Sequence, residues 1–495
     1  MAVDLTTCKD DLCSTIVALN QQIQNENTNS NVRKNITWAS KSGHNFCAFV
    51  MDGEIYTTNG TISNSSSQSG RGISYIGSIG LNNLKKVIIP NTSGLKKVGH
   101  SGCTSYALYN DGKLYVWGKN NQGQCGLGHT TDVGFPTLSA TDVLNVWGSE
   151  NEGTHAWNSR FFILKSDGLY ACGYNGYGQL GVGDTDPRYS WTKCSGFTNN
   201  SSSNILDVYV GGCNYGVTVI LITGGYLYIC GLNNYGQLGL GSTANKVTFT
   251  DCTLPWAGVG SGVTSMKIGG GFGYDNASNS HSNIFMLLTV NGSKVFKGSG
   301  CNTWYNLGIN TTTNQSSPVA PSGIDPNTIN DIAVFGGGPC TIDVLMNNGD
   351  LYVWGYNSFG QGGNNTTVAI QVPTKIETNV LKLLSHNIDK HYYSYYARNY
   401  IQKADGLYMT GEAGDNESGT GKVGNILKFE KIPLPIDDCI IRFLGEYETT
   451  NSGNIVYVVT TKNNLYAWGY NGQNGVYSGG TTGNIPTPLL INDTI

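Results

Sequence analysis

The chain contains 495 residues, of which only 13% are charged, 11% are aromatic and 54 are asparagine, and its net charge is −4. This neutral, amide-rich composition argues against a general nucleic-acid or anionic-membrane surface. No apolar run approaches the roughly 18 residues of a membrane-spanning helix, so no membrane insertion is expected. The first ten residues lack the basic opening and apolar core of a secretory signal, and no signal peptide is predicted.

Residues 1–34 are predicted to form a short N-terminal helix and a polar linker. The apolar residues of the helix recur at spacings of four, three and four and therefore share one stripe: Leu12, Ile16, Leu19 and Ile23. A helix this short is marginal on its own, so the stripe needs a partner, either the rest of the chain or another subunit. Because the polar run 25–31 separates the helix from the remainder of the chain, we expect the helix to attach to another chain, a copy of itself or a different protein.

Residues 35–495 form the second predicted domain, along which one pattern recurs. Its clearest copy is Leu114-Tyr-Val-Trp-Gly118, a strand with apolar residues on both faces that ends in glycine. The final positions of eight copies, the first of them degenerate, are 59, 118, 173, 231, 298, 355, 411 and 469. Steps of 55 to 67 residues are the sequence signature of a repeat architecture.

One repeat unit has the pattern of four short antiparallel strands. A tight turn such as Asp111-Gly112 precedes the recurring strand, and an apolar stretch such as 160–164 precedes each turn. A third apolar stretch comes before that, and a fourth comes after a Gly-Gln-Leu-Gly loop. Four such strands make one propeller blade, which must stack on neighbours to bury both faces. We therefore predict an all-β, closed β-propeller of four-stranded blades.

The pattern Asp-Gly, Leu-Tyr-x-Trp-Gly-x-Asn, Gly-Gln-Leu-Gly-x-Gly resembles the regulator-of-chromosome-condensation repeat family. The resemblance is strong at 99–128, 160–183, 224–241 and 345–362, and implies a propeller that in this family usually has seven blades. Eight units are present, so eight blades are favoured and seven is the fallback. The founding member of the family is a nuclear exchange factor for a small GTPase. That role is not carried over, because the basic tail expected of such a protein is missing.

An unusual segment of the repeat region is the aromatic run between Lys390 and Tyr400. It contains five tyrosines: Tyr392, Tyr393, Tyr395, Tyr396 and Tyr400. These residues could belong to the core, or they could form a contact patch, since tyrosine combines a large apolar area with a hydroxyl. An exposed cluster would suit a neighbouring subunit, a host-surface protein or a glycan.

No catalytic constellation, cofactor site or metal site is recognisable. The Gly-x-Ser-x-Gly elbow of hydrolases fails at Cys103, and Gly419-Thr-Gly-Lys422 is followed by Val423 rather than the Ser or Thr of a phosphate loop. Asp184 and Asp186 fit a solvated turn better than a calcium loop. A non-enzyme without cofactors is therefore predicted.

The cysteines show one repeated spacing. Cys172 and Cys194 are 22 residues apart, as are Cys230 and Cys252, and both pairs occupy the same places in successive units. Each pair could form a disulfide within a blade. Buried free thiols between blades are favoured, because free cysteine packs well in apolar interiors.

Two classes of function remain open. The first is a non-enzymatic structural or receptor-binding component of a virus particle, with the propeller as an interaction platform on a tailed-phage appendage. Scarce charge, an amide-rich surface and the short helix before a large β domain favour this class. The alternative is a cellular propeller scaffold or a small-GTPase exchange factor. We predict the first, with the protein located in the virion and bound to other virion proteins or to copies of itself.

Overall fold

A computed structural model of the chain describes residues 36–42, 46–57, 85–89, 94–149, 158–197, 200–212, 216–272, 281–336, 339–384, 398–413, 418–434, 440–446, 455–462, 464–469 and 484–490. The helix and linker predicted over residues 1–34 lie outside these described residues and stay predictions. Within them, the secondary structure is almost entirely β-strand. They contain one short α-helix, α1 (Thr253–Ala257), and one 3-10 helix (Pro326–Thr328).

The described strands form eight four-stranded antiparallel sheets, each built from four strands that are consecutive in the sequence. Sheet 1 contains β1 (Ile36–Ser42), β2 (Phe46–Met51), β3 (Glu54–Thr57) and β4 (Lys85–Lys86). Sheet 2 contains β5 (Leu95–Ser101), β6 (Thr104–Tyr109), β7 (Leu114–Gly118) and β8 (Val133–Ala140). Sheet 3 contains β9 (Asn145–Gly148), β10 (Arg160–Lys165), β11 (Gly168–Gly173) and β12 (Arg188–Lys193). Sheet 4 contains β13 (Ile205–Val210), β14 (Val217–Ile222), β15 (Tyr226–Gly231) and β16 (Lys246–Asp251).

The second half of the chain repeats the same meander. Sheet 5 contains β17 (Val263–Phe272), β18 (Ser282–Val290), β19 (Ser293–Gly300) and β20 (Gln315–Val319). Sheet 6 contains β21 (Ile329–Phe335), β22 (Thr341–Met346), β23 (Leu351–Gly355) and β24 (Ile370–Glu377). Sheet 7 contains β25 (Val380–Leu383), β26 (Arg398–Lys403), β27 (Gly406–Gly411) and β28 (Ile426–Lys431). Sheet 8 contains β29 (Ile440–Glu446), β30 (Ile455–Thr460), β31 (Leu465–Gly469) and β32 (Ile485–Leu490). The all-β prediction and the four-stranded unit are confirmed.

In sheet 5 the repeated strand ends two residues later than the sequence pattern predicts. The pattern matches Gly298 to the final glycine of the strand. Instead Gly300, with a φ of +107°, lies opposite Asn283, as Gly118 lies opposite Thr104 in sheet 2. β19 is eight residues long whereas β7 is five, so the extra length lies within the hairpin itself. The prediction at Gly298 was wrong because it assumed a strand of constant length.

The first strand of most sheets carries a bulge near its start. In sheet 4, Ile205 pairs with Ile222 and Asp207 with Leu221, so that Leu206 is an extra residue. Register shifts occur at the same place in sheets 1, 2, 5, 6, 7 and 8. A bulge increases local twist. Its recurrence gives successive sheets a similar bend at the same end.

The hydrophobic core lies between adjacent sheets. Tyr106 of sheet 2 meets Phe161 of sheet 3 edge to face at a ring-centroid distance of 5.6 Å, and the buried clusters join residues of neighbouring sheets. Trp117, Trp354 and Trp468 of the repeated strand are each 0% exposed. Burial on both faces explains why this strand carries apolar residues on both faces. Fully burying one large apolar side chain stabilises by about 1.5–3 kcal/mol.

First strands of neighbouring sheets contact one another, so the sheets converge on this side. The contacting pairs are β1 with β5, β5 with β9, β9 with β13, β17 with β21, β21 with β25, and β29 with β1. The fourth strand lies at the opposite edge of each sheet and often contains proline: Pro136, Pro318, Pro373 and Pro486. Proline has no N–H to offer to another strand, which protects these edges from pairing.

The eight cysteines whose side chains the structure describes are all free and buried. Cys172 and Cys194 are therefore not paired with each other, and neither are Cys230 and Cys252. Burial raises the pKa of the Cys172, Cys194 and Cys252 thiols well above the usual value. The prediction of buried thiols packed between blades is confirmed for these four residues.

Candidate partner-binding face

The two ends of each sheet differ in the connections that they carry. Strands 2 and 3 of a sheet join through tight turns such as Asp111-Gly112, in which Gly112 adopts a φ of +79°. The connections from strand 1 to strand 2 and from strand 3 to strand 4 lie at the opposite end, because adjacent strands alternate in direction. We name the end with these longer connections the loop face and the other end the turn face.

A buried asparagine braces the loop between strands 3 and 4 of sheets 2 to 6. In sheet 4 the Asn233 Oδ1 accepts the Leu238 N–H at 2.9 Å, and its Nδ2 donates to the carbonyls of Ser242 and Ala244 at 2.9 and 3.0 Å. The same three bonds recur around each equivalent residue: Asn120, Asn175, Asn302 and Asn357. Because a buried amide bonds both sides of the loop, its conformation is fixed.

A second buried amide orients the half-buried residue at the tip of each loop, the fourth residue after the final glycine of strand 3. The Oε1 of Gln237 accepts the Tyr235 N–H at 3.0 Å, and Gln361 accepts the Phe359 N–H at 3.0 Å. In sheet 5 an asparagine takes this place, since the Oδ1 of Asn306 accepts the Trp304 N–H at 3.1 Å. The residue at the tip is therefore attached to a rigid backbone.

Each loop also joins the next sheet. The Gly241 N–H donates to the Ser316 carbonyl at 2.8 Å, which links the loop of sheet 4 to the fourth strand of sheet 5. Gly239 packs against the Trp256 indole, with a φ of +68°, and a Cβ there would lie 2.7 Å from the Trp256 Nε1. Glycine is needed at this position both for its backbone conformation and for the space. The loops thus tie neighbouring sheets together.

A line of aromatic rings, half-buried except for the buried His281, crosses the loop face above sheets 4 to 6. We call it the aromatic row, and it consists of Tyr235, His281, Trp304, Tyr356 and Phe359. Successive ring centroids are 5.0, 4.9, 6.3 and 6.5 Å apart. The first pair is stacked, and the two contacts of Trp304 are edge to face. Aromatic pairs at such distances stabilise each other.

The loops between strands 3 and 4 that carry Tyr235, Trp304, Tyr356 and Phe359 contain no charged residue. The three segments are 232–245, 301–317 and 356–369, and their polar residues are only amides and hydroxyls. The corresponding loop of sheet 3 differs, because Asp184 forms an ion pair of 2.5 Å with Arg188. The loops between strands 3 and 4 of sheets 4 to 6 therefore form an uncharged, aromatic sector of the loop face. Charge depletion with aromatic enrichment is typical of the centre of a protein interface.

Buried charges close to the loop face have structural roles. The Arg160 guanidinium donates to the carbonyls of Gly211 and Gly212 at 2.5 and 2.6 Å, joining sheet 3 to sheet 4. Arg398 occupies the same place in sheet 7 and forms a buried ion pair of 2.7 Å with the Glu412 carboxylate. Removing one partner of such a pair leaves the other charge buried and unpaired, which strongly destabilises the fold. We assign both arginines to assembly of the fold.

Asp343 is a buried carboxyl at the interface of sheets 6 and 7. Its Oδ1 accepts the Asn399 Nδ2 at 3.0 Å, whereas its Oδ2 has no hydrogen-bond partner. Burial raises the pKa of Asp343 well above the usual value. The equivalent positions of other sheets are apolar or aromatic: Tyr106, Phe162, Val219 and Phe285. A carboxyl here weakens this interface relative to the others.

The turn face is polar by contrast. In sheet 3 the Asp167 carboxylate accepts the Tyr170 hydroxyl at 2.5 Å and lies 3.4 Å from the Lys193 ammonium. Sheet 7 repeats the arrangement with Asp405, Tyr408 and Lys431. Such exposed ion pairs contribute little stability, about 0–1 kcal/mol each.

Most site residues predicted from sequence lie outside the described part of the chain. This applies to the helix stripe of Leu12, Ile16, Leu19 and Ile23, and to Tyr392, Tyr393, Tyr395 and Tyr396, all of which stay predictions. Tyr400 is described, in β26, and is only 1% exposed. Its ring belongs to the core and is not available for surface contact, because β26 lies inside its sheet.

The sequence reasoning missed the aromatic row. A signal was present, because the fourth residue after the final glycine of strand 3 is aromatic in four consecutive units: Tyr177, Tyr235, Trp304 and Phe359. Among the described residues, no group of three or more His, Cys, Asp or Glu could hold a metal ion. No described helix has the length and apolar character needed to span a membrane.

Comparison with known proteins identifies the repeats. The family model "Regulator of chromosome condensation (RCC1) repeat" matches residues 111–145 and 348–383. The chain is similar to the secretion-regulating guanine nucleotide exchange factor of Bos taurus, 26% identical over 285 residues, 55% of this chain and 54% of the relative. It is 23% identical to the Mus musculus protein of that name over 411 residues, 80% of this chain and 82% of the relative. These matches support RCC1-type repeats and a propeller fold.

The chain thus spans about half the length of its bovine relative and about four-fifths of the mouse relative. Among solved structures, human WBSCR16 is 17% identical with a TM-score of 0.49, covering 75% of this chain and 93% of that one.

The prediction of a virus-particle component was wrong. The relatives are cellular proteins of cattle and mouse, which contradicts a phage appendage, a location in the virion and virion proteins as partners. The error came from reading function into composition. Scarce charge and many amides are explained equally well by the uncharged loops between strands 3 and 4, whose buried amides hold the loop backbone in place.

Proposed function

We propose that this chain is a cellular regulator of a small GTPase and promotes guanine nucleotide exchange by binding the GTPase. The observation that carries the proposal is the similarity to a guanine nucleotide exchange factor along 80% of the chain. The rigid loop face, with its uncharged aromatic sector, adds a surface of the composition expected for protein binding. Exchange requires binding alone and no chemical step, so the proposal needs no catalytic group on the loop face.

The test measures release of a fluorescent GDP analogue from one representative of each small-GTPase subfamily. We expect faster release from at least one GTPase when the chain is added. Because binding effects are reciprocal, that GTPase should bind the chain more tightly without nucleotide, and excess GDP should dissociate the complex. Binding that is indifferent to nucleotide would instead assign the chain as a scaffold. Absence of both acceleration and binding across the panel would reject the proposal.

We further propose that the eight sheets close into one ring within a domain of residues 35–495. Contact between β1 and β29 supports closure. Each sheet uses only consecutive strands, so this closure involves no exchange of strands between the first and last sheets. A disulfide engineered between β1 and β29 should then raise the melting temperature, whereas failure to form it under oxidising conditions would argue for an open arrangement.

A further inference from the structure

We propose that the predicted N-terminal helix folds back onto its own chain and docks its apolar stripe on exposed leucines of the turn face, where the first strands converge. The stripe is Leu12, Ile16, Leu19 and Ile23. The docking surface, which we call the inner leucines, consists of Leu144, Leu206 and Leu381. It lies at the opposite end of the sheets from the loop face. The inference therefore goes beyond the proposed exchange role and does not depend on it.

The inner leucines occupy one position that recurs in the first strand of successive sheets. In sheet 4 Leu206 is the extra residue of the bulge. The Oδ1 of the next residue, Asp207, accepts the following backbone N–H at 2.8 Å and fixes the bulge. The Oδ1 of Asn145 does the same in sheet 3 at 2.9 Å, so Leu144 is the counterpart of Leu206. Leu381 holds this position in sheet 7.

The fold does not require leucine at this position. The counterparts in sheets 2, 5 and 6 are polar and likewise exposed: Lys96, Thr264 and Asn330. Leu144, Leu206 and Leu381 are 43%, 55% and 59% exposed. The first two lie on neighbouring sheets whose first strands contact each other. A single exposed leucine needs no explanation, but three at one repeated position of converging strands suit an apolar ligand.

The occupant follows from the place where sheet 1 begins. First strands start at the turn face, since the Asn110 N–H in the turn of sheet 2 donates to the Gly94 carbonyl, just before β5, at 3.0 Å. Strand β1 starts at Ile36, and its register shift before Trp38 places Thr37 at the same repeated position. β1 contacts both β5 and β29. The chain before Ile36 therefore starts from the turn-face end of the converging strands, beside the inner leucines.

The length of the N-terminal segment is sufficient for folding back. Leu206 lies three sheets from β1, and packed sheets are about 10 Å apart, so the path measures about 30 Å or less. Residues 25–35 reach about 36 Å when extended, at about 3.3 Å per residue. From sequence alone this polar run indicated attachment to another chain, but it equally supplies the length for a return. Because the helix is tethered, docking is intramolecular and needs no second molecule at high concentration.

Charge favours the same contact. The first strands of sheets 2 to 7 carry four lysines and two aspartates, a net charge of +2, whereas residues 1–24 carry one lysine and three aspartates, a net charge of −2. Lys96 is exposed beside the inner leucines, and its ammonium donates to the Leu144 carbonyl at 2.8 Å. Opposite charges orient two surfaces as they meet. The aspartates that can face these lysines are Asp4, Asp10 and Asp11.

Hydrogen exchange of the full chain, followed by mass spectrometry, tests the inference. We expect amides within 12–23 to exchange at least about tenfold more slowly than in a synthetic peptide of residues 1–31, because docking protects the helix. Leu144→Ser combined with Leu206→Ser should return exchange to the rate of the peptide. Leu254→Ser is the matched control, since this leucine is 63% exposed but lies in α1 rather than on a first strand. It should leave the protection unchanged.

A disulfide test covers the case in which the double serine variant does not fold. The N-terminal segment contains Cys8 and Cys13. Leu206→Cys or Leu144→Cys should form a disulfide with one of them in oxidised glutathione, whereas Leu254→Cys should not. Peptide mapping identifies the bond, and the mass of the unreduced protein shows whether it lies within one chain or joins two.

Circular dichroism and the melting temperature establish that each variant is folded before it is compared. Four results would each overturn the inference. They are exchange within 12–23 as fast in the unmodified chain as in the peptide, protection that survives in a folded double serine variant, no disulfide at either leucine position, and a disulfide that joins two chains. The last result would assign the helix to a second copy.

Discussion

The bracing asparagines provide the sharpest test of how this propeller holds its loops. Asn233→Ala removes an acceptor for the Leu238 N–H and a donor to the carbonyls of Ser242 and Ala244. The residue is 0% exposed, so water does not replace these bonds without local opening. At about 1 kcal/mol for each lost hydrogen bond, the three together predict a loss of about 3 kcal/mol in the free energy of unfolding.

Urea denaturation would measure this loss, and hydrogen exchange followed by mass spectrometry would locate it. Amides within 232–245 should lose protection, while the equivalent loop 301–317, which has its own asparagine, should keep it. Thr243→Ala is the matched control, because this side chain in the same loop is exposed and its loss should change stability by less than about 0.5 kcal/mol. If Asn233→Ala were as stable as this control, the bracing role would be refuted.

Three further predictions concern single positions. Gly239→Ala should lower the free energy of unfolding by about 2–4 kcal/mol, because it combines the φ of +68° with a clash against Trp256. Gly241→Ala should lower it by only about 1 kcal/mol in the same urea titration, because its φ is similar, +73°, but the nearest atom to a Cβ there, the Ser317 Oγ, is 3.9 Å away. Burial raises the pKa of Asp343 in the folded chain, so the folded state binds this proton more tightly than the unfolded state does. Asp343 therefore destabilises the folded state increasingly as the pH rises above the unfolded pKa near 3.8. Asp343→Asn should therefore be more stable than the unmodified chain, and urea midpoints at pH 4.5, 6 and 7.5 should show a widening difference; a constant difference would contradict the buried carboxyl. Cys172, Cys194, Cys230 and Cys252 should resist alkylation in the folded chain and react after unfolding, as peptide mapping would reveal, and rapid native labelling would contradict their burial.

The fold was predictable because its signals are local and repeated. The alternation in Leu114–Gly118 and the turn at Asp111-Gly112 each specify a strand and a hairpin without reference to the rest of the chain. Where one unit departed from the average length, the same reasoning failed. Gly298 matched the pattern better than Gly300, and only the pairing with Asn283 distinguishes them.

The candidate site was harder to predict because it depends on several sheets. Tyr235, Trp304 and Phe359 are separated by more than fifty residues each, and only the stacking of sheets brings their loops into one row. Tyr400 illustrates the same limit, because the sequence left its tyrosine run open between the core and a contact patch. Its place on the second strand of a sheet puts Tyr400 in the core.

The loop face separates the residues that maintain the fold from those that can recognise a partner. In each of five loops a buried asparagine and a second buried amide form the same set of bonds, whatever residue occupies the tip. The tip residue varies along the series Gln122, Tyr177, Tyr235, Trp304 and Phe359. Only its backbone N–H takes part in these amide bonds, so a change of its side chain leaves them in place. Substitution at the tip should therefore leave the loop conformation intact and remove only the ring contacts, about 0.5–1.5 kcal/mol for each aromatic pair, whereas substitution of the amides should release the loop itself.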